Sequence, residues 1–198
     1  MVQKKPGRPR GRPRSFDADA VLLKARDAFW AAGYAATSLD DLSAATGLNR
    51  PSLYGAFGDK HALYLATLER TRAEMMASVR DGLARPGSLE EVLTAFFQAA
   101  SAVYRGGASG QRGCFLIGTG VTESLPDPDV RALLARAFAE LDAAFAERIA
   151  QAGGRHPEAL GRMASAILHA LAVRARVGAD AEALRAIWEP GVALICKA

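Results

Sequence analysis

LDDLSAATGLNRPSLYGAF, residues 39–57, reads as two short helices on either side of a glycine. Ser38 and Asp41 form an acidic variant of the capping box, opening a helix that carries Leu39, Leu42 and Ala45. Gly47 supplies the residue that tolerates a left-handed backbone at the turn, and Leu48 turns inward after it. Asn49 is placed to cap the second helix, and Pro51 falls in its first turn, where a missing N–H does no harm. Leu42, Leu48 and Leu53 would pin the pair together, and small Ser43, four positions before the glycine, lets the helices cross closely. This is the helix-turn-helix plan. Polar Asn49, Arg50, Ser52 and Tyr54 gather at the start of the second helix, the end that enters a major groove in such motifs. An ordinary helical hairpin with a polar exposed face is the competing reading.

Working outward, the pattern stays helical. Asp17 can cap a helix with Val21, Leu22, Ala25, Ala28, Phe29 and Ala32 on its apolar face, ending at Gly33. Asp59 caps a long fourth helix, with Leu65, Leu68, Met75, Met76, Val79 and Leu83 inward. Ser88 and Glu91 form a second capping box, before Leu89, Val92, Leu93, Phe96, Ala100 and Val103. Residues 105–113 are a glycine-rich loop, and 114–123 is a short apolar segment read as helical although Thr119, Val121 and Thr122 are poor helix formers. Pro126-Asp127-Pro128 starts a helix that Gly153-Gly154 stops, and two more follow over roughly 157–177 and 180–195. No alternating run long enough for a sheet appears, so the expected fold is all-α.

The charge is concentrated at one end. Residues 1–14 carry Lys4, Lys5, Arg8, Arg10, Arg12 and Arg14 without an acid, whereas residues 62–198 hold 15 groups of each sign. The net charge of +4 therefore belongs to a short arm, too poor in apolar residues to fold alone. A basic arm on a near-neutral body meets a polyanion, nucleic acid or an anionic membrane, unless it is merely a solubilising tail. Pro9-Arg10-Gly11-Arg12-Pro13, with Gly7-Arg8-Pro9 upstream, resembles the core of an AT-hook. Its thin backbone would lay Arg8, Arg10 and Arg12 along a narrow A·T-rich minor groove.

Other classes fare poorly. No apolar run approaches the roughly 18 residues of a membrane helix, and no apolar stretch of a secretory signal follows the basic N-terminus. Cys114 and Cys196, 82 positions apart, frame neither a disulfide scaffold nor a zinc site, so a cytoplasmic location is expected. His61, His156 and His169 include no pair at metal-ligand spacing, and no metal is expected. Gly107-Ala108-Ser109-Gly110 ends on Gln111 instead of completing a nucleophile elbow. Gly118-Thr119-Gly120 meets Glu123 where a dinucleotide motif needs its third glycine. Neither a cofactor nor catalysis is expected.

The segment from Phe29 to Leu63, with Gly33-Tyr34, Thr37-Ser38, Gly47-Leu48-Asn49, Ser52-Leu53-Tyr54, Phe57 and Asp59-Lys60-His61-Ala62-Leu63, resembles the DNA-binding domain of TetR-family transcriptional regulators. The match is close over residues 16–65, and Ser43 stands where Ala is commoner. The resemblance implies a homodimer of nine-helix subunits. Three N-terminal helices would bind a double-stranded DNA operator, the fourth would connect, and the rest would dimerise around a pocket for a small-molecule effector. The domains expected are an arm over 1–15, a reading domain over 16–65 and a sensor domain over 66–198.

On that footing Arg50 is expected to reach base edges, guanine O6 and N7 first, with Asn49 and Ser52 as secondary readers. Thr37 or Ser38 is expected on a phosphate, with Tyr54 and Lys60. For Tyr54 the competing role is a core aromatic, and for Lys60 a solvated charge. Phe96, Tyr104, Cys114, Phe115 and Phe138 are candidates for the effector pocket, ordinary packing being the alternative, as it is for Phe97 and Phe145. Cys114 follows Arg112-Gly113; beside the guanidinium its thiolate would be favoured and could meet electrophiles, oxidants or soft metals, whereas a buried Cys114 would be a small hydrophobe. Met163, Ile167, Leu171 and Ile187, on two Ala-rich helices, are candidates for the dimer interface. The function expected is a repressor released from a palindromic operator by a small molecule, an electrophile or a metal. The alternative is an architectural protein of A·T tracts in which the arm dominates and no effector acts.

Overall fold

The structure, a computed structural model, describes residues 16–106 and 113–197. Among these there are nine α-helices and no strand. The first three are short: α1 (Ala18–Ala32), α2 (Leu39–Thr46) and α3 (Arg50–Phe57). The expected caps are all made. Asp17 accepts from Asp19 N, Ser38 and Asp41 close a reciprocal box, and Asn49 accepts from Ser52 N. Gly47 adopts φ 76°, ψ 10°, the left-handed turn that ends α2 and lets α3 begin three residues later.

Long α4 (Lys60–Leu83), capped by Asp59, runs on to α5 (Leu89–Tyr104), capped by the Ser88–Glu91 box. The 114–123 segment differs from a plain helix: it is a π-turn over Leu116–Gly120 leading into α6 (Val121–Glu123). The Thr119 hydroxyl donates to the Phe115 carbonyl four residues back, competing for an acceptor of the helical ladder where the coil widens. Helices α7 (Pro128–Gln151), α8 (Pro157–Arg176) and α9 (Ala181–Lys197) complete the chain.

Two apolar clusters form the core. One joins the second half of α4 with α5, α8, α9 and the far end of α7, around Phe97, Phe145, Leu171 and Trp188. The other gathers Val21, Phe29, Leu42, Leu53, Leu63 and Tyr64, and continues through Phe115, Leu116, Val130, Leu133, Leu134 and Ala137. The core of the N-terminal helices therefore runs past residue 65 and is completed by the π-turn and the first half of α7. Ion pairs brace α4 on both sides: Arg70 with Asp19 of α1, and Arg72 with Glu140 of α7. A rotation of α4 would disturb both.

Candidate nucleic-acid interface and sensor cavity

The leading end of α3 is exposed. Arg50, its first residue, reaches back across the turn to Asp40 of α2, with Nε 2.9 Å from Oδ1 and Nη2 2.6 Å from Oδ2. The carboxylate raises the guanidinium's pKa above its ordinary value, through the hydrogen bonds first and the charge second. Asn49 uses its side-chain oxygen for the cap and keeps an amide NH2 able to donate at the surface. Ser52 is half-buried, and Tyr54 is 45% exposed, which sets aside a core role. Lys60 lies with its Nζ 4.5 Å from the centre of the Tyr34 ring, so its charge is held over an aromatic face.

Thr37 does not fit the expected phosphate contact. It is 1% exposed and its hydroxyl donates to the Gly33 carbonyl at 2.6 Å, tying down the turn after α1. Exposed Ser38 keeps the helix-N-terminal position, but its hydroxyl already donates to Asp41 at 2.6 Å. Those bonds to Ser38, side chain first, hold the Asp41 carboxyl below its usual range. Arg8, Arg10, Arg12 and the rest of the arm lie outside the described residues.

The C-terminal half holds a cavity of about 500 Å3 between α4 and α5. Phe96, Tyr104, Cys114 and Phe115, four of the pocket candidates, stand in its wall. Phe138 of α7 does not; its ring packs 4.8 Å from that of His169 of α8. Phe97 and Phe145 stack on each other in the core. The wall also includes Thr71, Glu74, Met75 and Ser78 of α4, Arg85 just beyond its end, and Trp30 of α1. Sequence reasoning missed these because it looked for aromatic residues in the C-terminal half. The usable signal was a polar stripe at helical spacing on α4. Trp30 gave none, since α1 was assigned to DNA reading.

Of the two settings expected for Cys114, an activated thiolate and a packed small hydrophobe, the surroundings favour the second. Burial pushes its thiol pKa up, only partly offset by the amides of Ile117 and Leu116, so the protonated form is favoured. Arg112, the expected activating charge, lies outside the described residues. The Gly-Cys pair has a packing reason. Gly113 sits at φ +64° with its amide donating to the Tyr104 carbonyl, and a Cβ there would come within 3.0 Å of the Ala172 carbonyl oxygen.

His61, Asp127 and Asp129 bring one possible metal-ligand atom each within 4.8 Å of one another. Two of the three are already engaged. Asp127 caps α7 through Oδ1 while its Oδ2 meets His61 Nε2 at 2.6 Å, which makes the group a joint between α4 and α7.

Met163 and Val173 of α8, Val177 just past its end and Leu194 of α9 are exposed, and Ile167 and Ile187 are half-buried. Leu171, expected at the dimer interface, is a correction: it is wholly buried within the subunit and offers nothing to a partner.

Comparison with known proteins agrees with this geometry. A sequence profile described as "Bacterial regulatory proteins, tetR family" matches residues 21–67. The HTH-type transcriptional repressor ComR of Escherichia coli (strain K12) is 33% identical over 186 residues, covering 90% of this chain and 88% of that one. The HTH-type transcriptional repressor BdcR of the same strain is 27% identical over 186 residues, covering 93% and 91%. Among solved structures, a cysteine mutant of the TetR family transcriptional regulator CifR, complexed with 26-bp double-strand operator DNA, superposes with a TM-score of 0.76 at 29% identity, covering 92% of this chain and 98% of that one.

Proposed function

The chain belongs to the TetR family of bacterial transcriptional regulators, and from that premise we propose that it is a repressor that leaves its operator when an effector fills the α4–α5 cavity. Two subunits would pair through the exposed apolar residues of α8 and α9, presenting two α3 helices to successive major grooves about one DNA turn apart. The observation that carries the reading is the position of Trp30. A residue of the DNA-reading half stands in the cavity wall, so a ligand there touches both halves at once. Occupancy that favours one setting of α1 and α4 over the other shifts the spacing of the two readers, with a coupling of typically about 1–3 kcal/mol.

In this reading Arg50, Asn49 and Ser52 face bases, while Ser38, Tyr54 and Lys60 face phosphates. Arg8, Arg10 and Arg12 would grip the adjoining minor groove, and the protein would work in the cytoplasm, beside its DNA, turning over no substrate. The cavity is apolar on its α5 side, with Phe96, Ala99, Ala100 and Val103, and polar along α4, which fits an amphipathic small molecule. Electrophile sensing through Cys114 would require the ligand or a rearrangement to lower the thiol's pKa first.

Footprinting on the DNA upstream of its own gene tests the reading. A short palindromic protected site, lost when Arg50 and Tyr54 are both replaced by alanine, is the expected result. Broad A·T-rich protection, or equal recognition by the double variant, would overturn it.

A further inference from the structure

The two-point contact between Asp40 and Arg50 is unusual for where it sits. Both side chains are exposed, 75% and 54% respectively, and exposed ion pairs contribute little to stability. Asp40 also lies in the first turn of α2, two residues after Ser38, which the proposed function sets against a phosphate; a carboxylate so close to one opposes binding. The capping of α2 does not need it, because Asp41 closes the box with Ser38.

The geometry gives it another role. Asp40 holds the Nε–Nη2 edge of the guanidinium, which leaves the end-on fork of Nη1 and the outer N–H of Nη2. That fork is the pair of donors that matches guanine N7 and O6. A long arginine side chain otherwise has many rotamers, and many of them reach phosphate as readily as base. With one edge held, Arg50 is stiffened; if it swung to the backbone, it would leave a bare carboxylate beside a phosphate. Both effects favour the base-reading pose.

We propose that Asp40 is a positioning residue that presents Arg50 to guanine and so sets the sequence specificity of the reader without touching a base itself. This rests on the reading of Arg50 as a base-contacting residue, and the test separates the two.

The full-length dimer and its Asp40→Asn, Asp40→Glu and Arg50→Ala variants are each used to select from a pool of 30-base-pair duplexes with a randomised core, and base preference is scored position by position. The expected result is that Arg50→Ala and Asp40→Asn flatten the same guanine position in each half-site, by about tenfold or more in discrimination. Asp40→Glu, which can still bridge, restores most of it, while preferences at other positions stay. Overall affinity of Asp40→Asn for random duplex is unchanged or higher, because a repelling charge has gone. An Asp40→Asn protein that keeps full guanine preference, or that loses affinity uniformly at every position, overturns the proposal while the role of Arg50 stands. No change at any position in Arg50→Ala removes the base-reading role of Arg50, and the positioning role with it.

Discussion

The Tyr64 hydroxyl of α4 donates to Thr119 Oγ1 of the π-turn at 3.0 Å, and the Thr119 hydroxyl in turn donates to the Phe115 carbonyl. All three residues are buried, and the Tyr64 ring meets Phe115 edge-on at 6.2 Å, Phe29 at 5.0 Å and Tyr34 at 4.7 Å. The cluster therefore runs without a gap from the core of the reading helices to a wall of the cavity. Burial is the main reason the Tyr64 pKa is pushed up to about 12, so the phenol stays a donor at any physiological pH. A displacement of Phe115 by a ligand is felt at once by α1 and α4.

Replacing Tyr64 with phenylalanine keeps the ring contacts and deletes the donor. Thr119 retains its bond to Phe115, so a loss of about 0.5–1.5 kcal/mol in unfolding free energy is expected. Urea denaturation checks this; a loss near zero would show that the hydroxyl contributes no tie between the π-turn and α4.

Trp30 and Trp188 are the only tryptophans. Trp30 lines the cavity, whereas Trp188 is buried in the α5–α9 core. In a Trp188→Phe protein, compounds that raise the melting temperature and release operator DNA should shift or quench the remaining emission. Effectors that leave that emission untouched would have to bind elsewhere.

Much of this could be read from the sequence because helix signals are local. Asp17, Ser38, Asn49, Asp59 and Ser88 each lie within three residues of the amide they bond, so spacing alone reveals them. What was hidden depends on contacts between distant segments. Thr37 looked like a surface hydroxyl until the turn after α1 folded over it, and Leu171 shares its apolar character with residues that do face outward. For Cys114 the sequence leaves an activated thiolate and a buried thiol both open, and only packing from other segments decides between them. Asp40 and Arg50 lie ten positions apart, on different helices, and no periodicity pairs them. Pro190 sits inside α9, where a proline usually breaks a helix; Leu184, Trp188, Val192 and Ile195 hold the helix through it by burial.

The Asp127 carboxyl gives a pH signature. Burial raises its pKa, but the amides of Val130 and Asp129 and the ring of His61 outweigh that and leave it below the ordinary value. A carboxylate depressed in the folded state contributes stability that is full above the unfolded pKa of about 3.9 and is lost as pH falls through the folded value. Asparagine caps a helix about as well as aspartate, so Asp127→Asn removes the charge and keeps the cap. The stability gap between wild type and Asp127→Asn should be present at pH 5 and shrink as pH falls below about 4. A gap independent of pH down to 3 would show that the carboxylate's charge is immaterial at this joint.

Cys114 should alkylate slowly. With its thiol pKa raised by burial, the folded protein carries less thiolate at neutral pH than the unfolded chain does. In a Cys196→Ser background, iodoacetamide at pH 7.5 should label folded protein several-fold more slowly than urea-unfolded protein. Labelling as fast as in urea would mean an activated thiol and would restore the electrophile-sensing route in the unliganded state.

Gly55 and Gly161 let one substitution be tested with opposite signs. Both are helical, and in a helix interior alanine is favoured over glycine by roughly 0.5–1 kcal/mol. A Cβ on Gly55 of α3 would meet nothing within 4 Å, so Gly55→Ala should raise stability by about that amount. On Gly161 of α8 the same atom would stand 2.6 Å from the Asp142 carbonyl oxygen and 2.8 Å from the Ala146 amide nitrogen of α7. Those are backbone atoms of a 24-residue helix, and they cannot turn aside as a side chain would. The two helices must separate, at a cost of typically about 1–3 kcal/mol, which exceeds the propensity gain. Gly161→Ala should therefore unfold at lower urea than wild type, and Gly55→Ala at higher. Because α8 also carries Met163 and Val173 on its outer face, the shift should weaken subunit pairing, visible as a concentration-dependent monomer fraction in sedimentation. If Gly161→Ala is as stable as Gly55→Ala and stays dimeric, the close approach of α7 and α8 does not hold in solution.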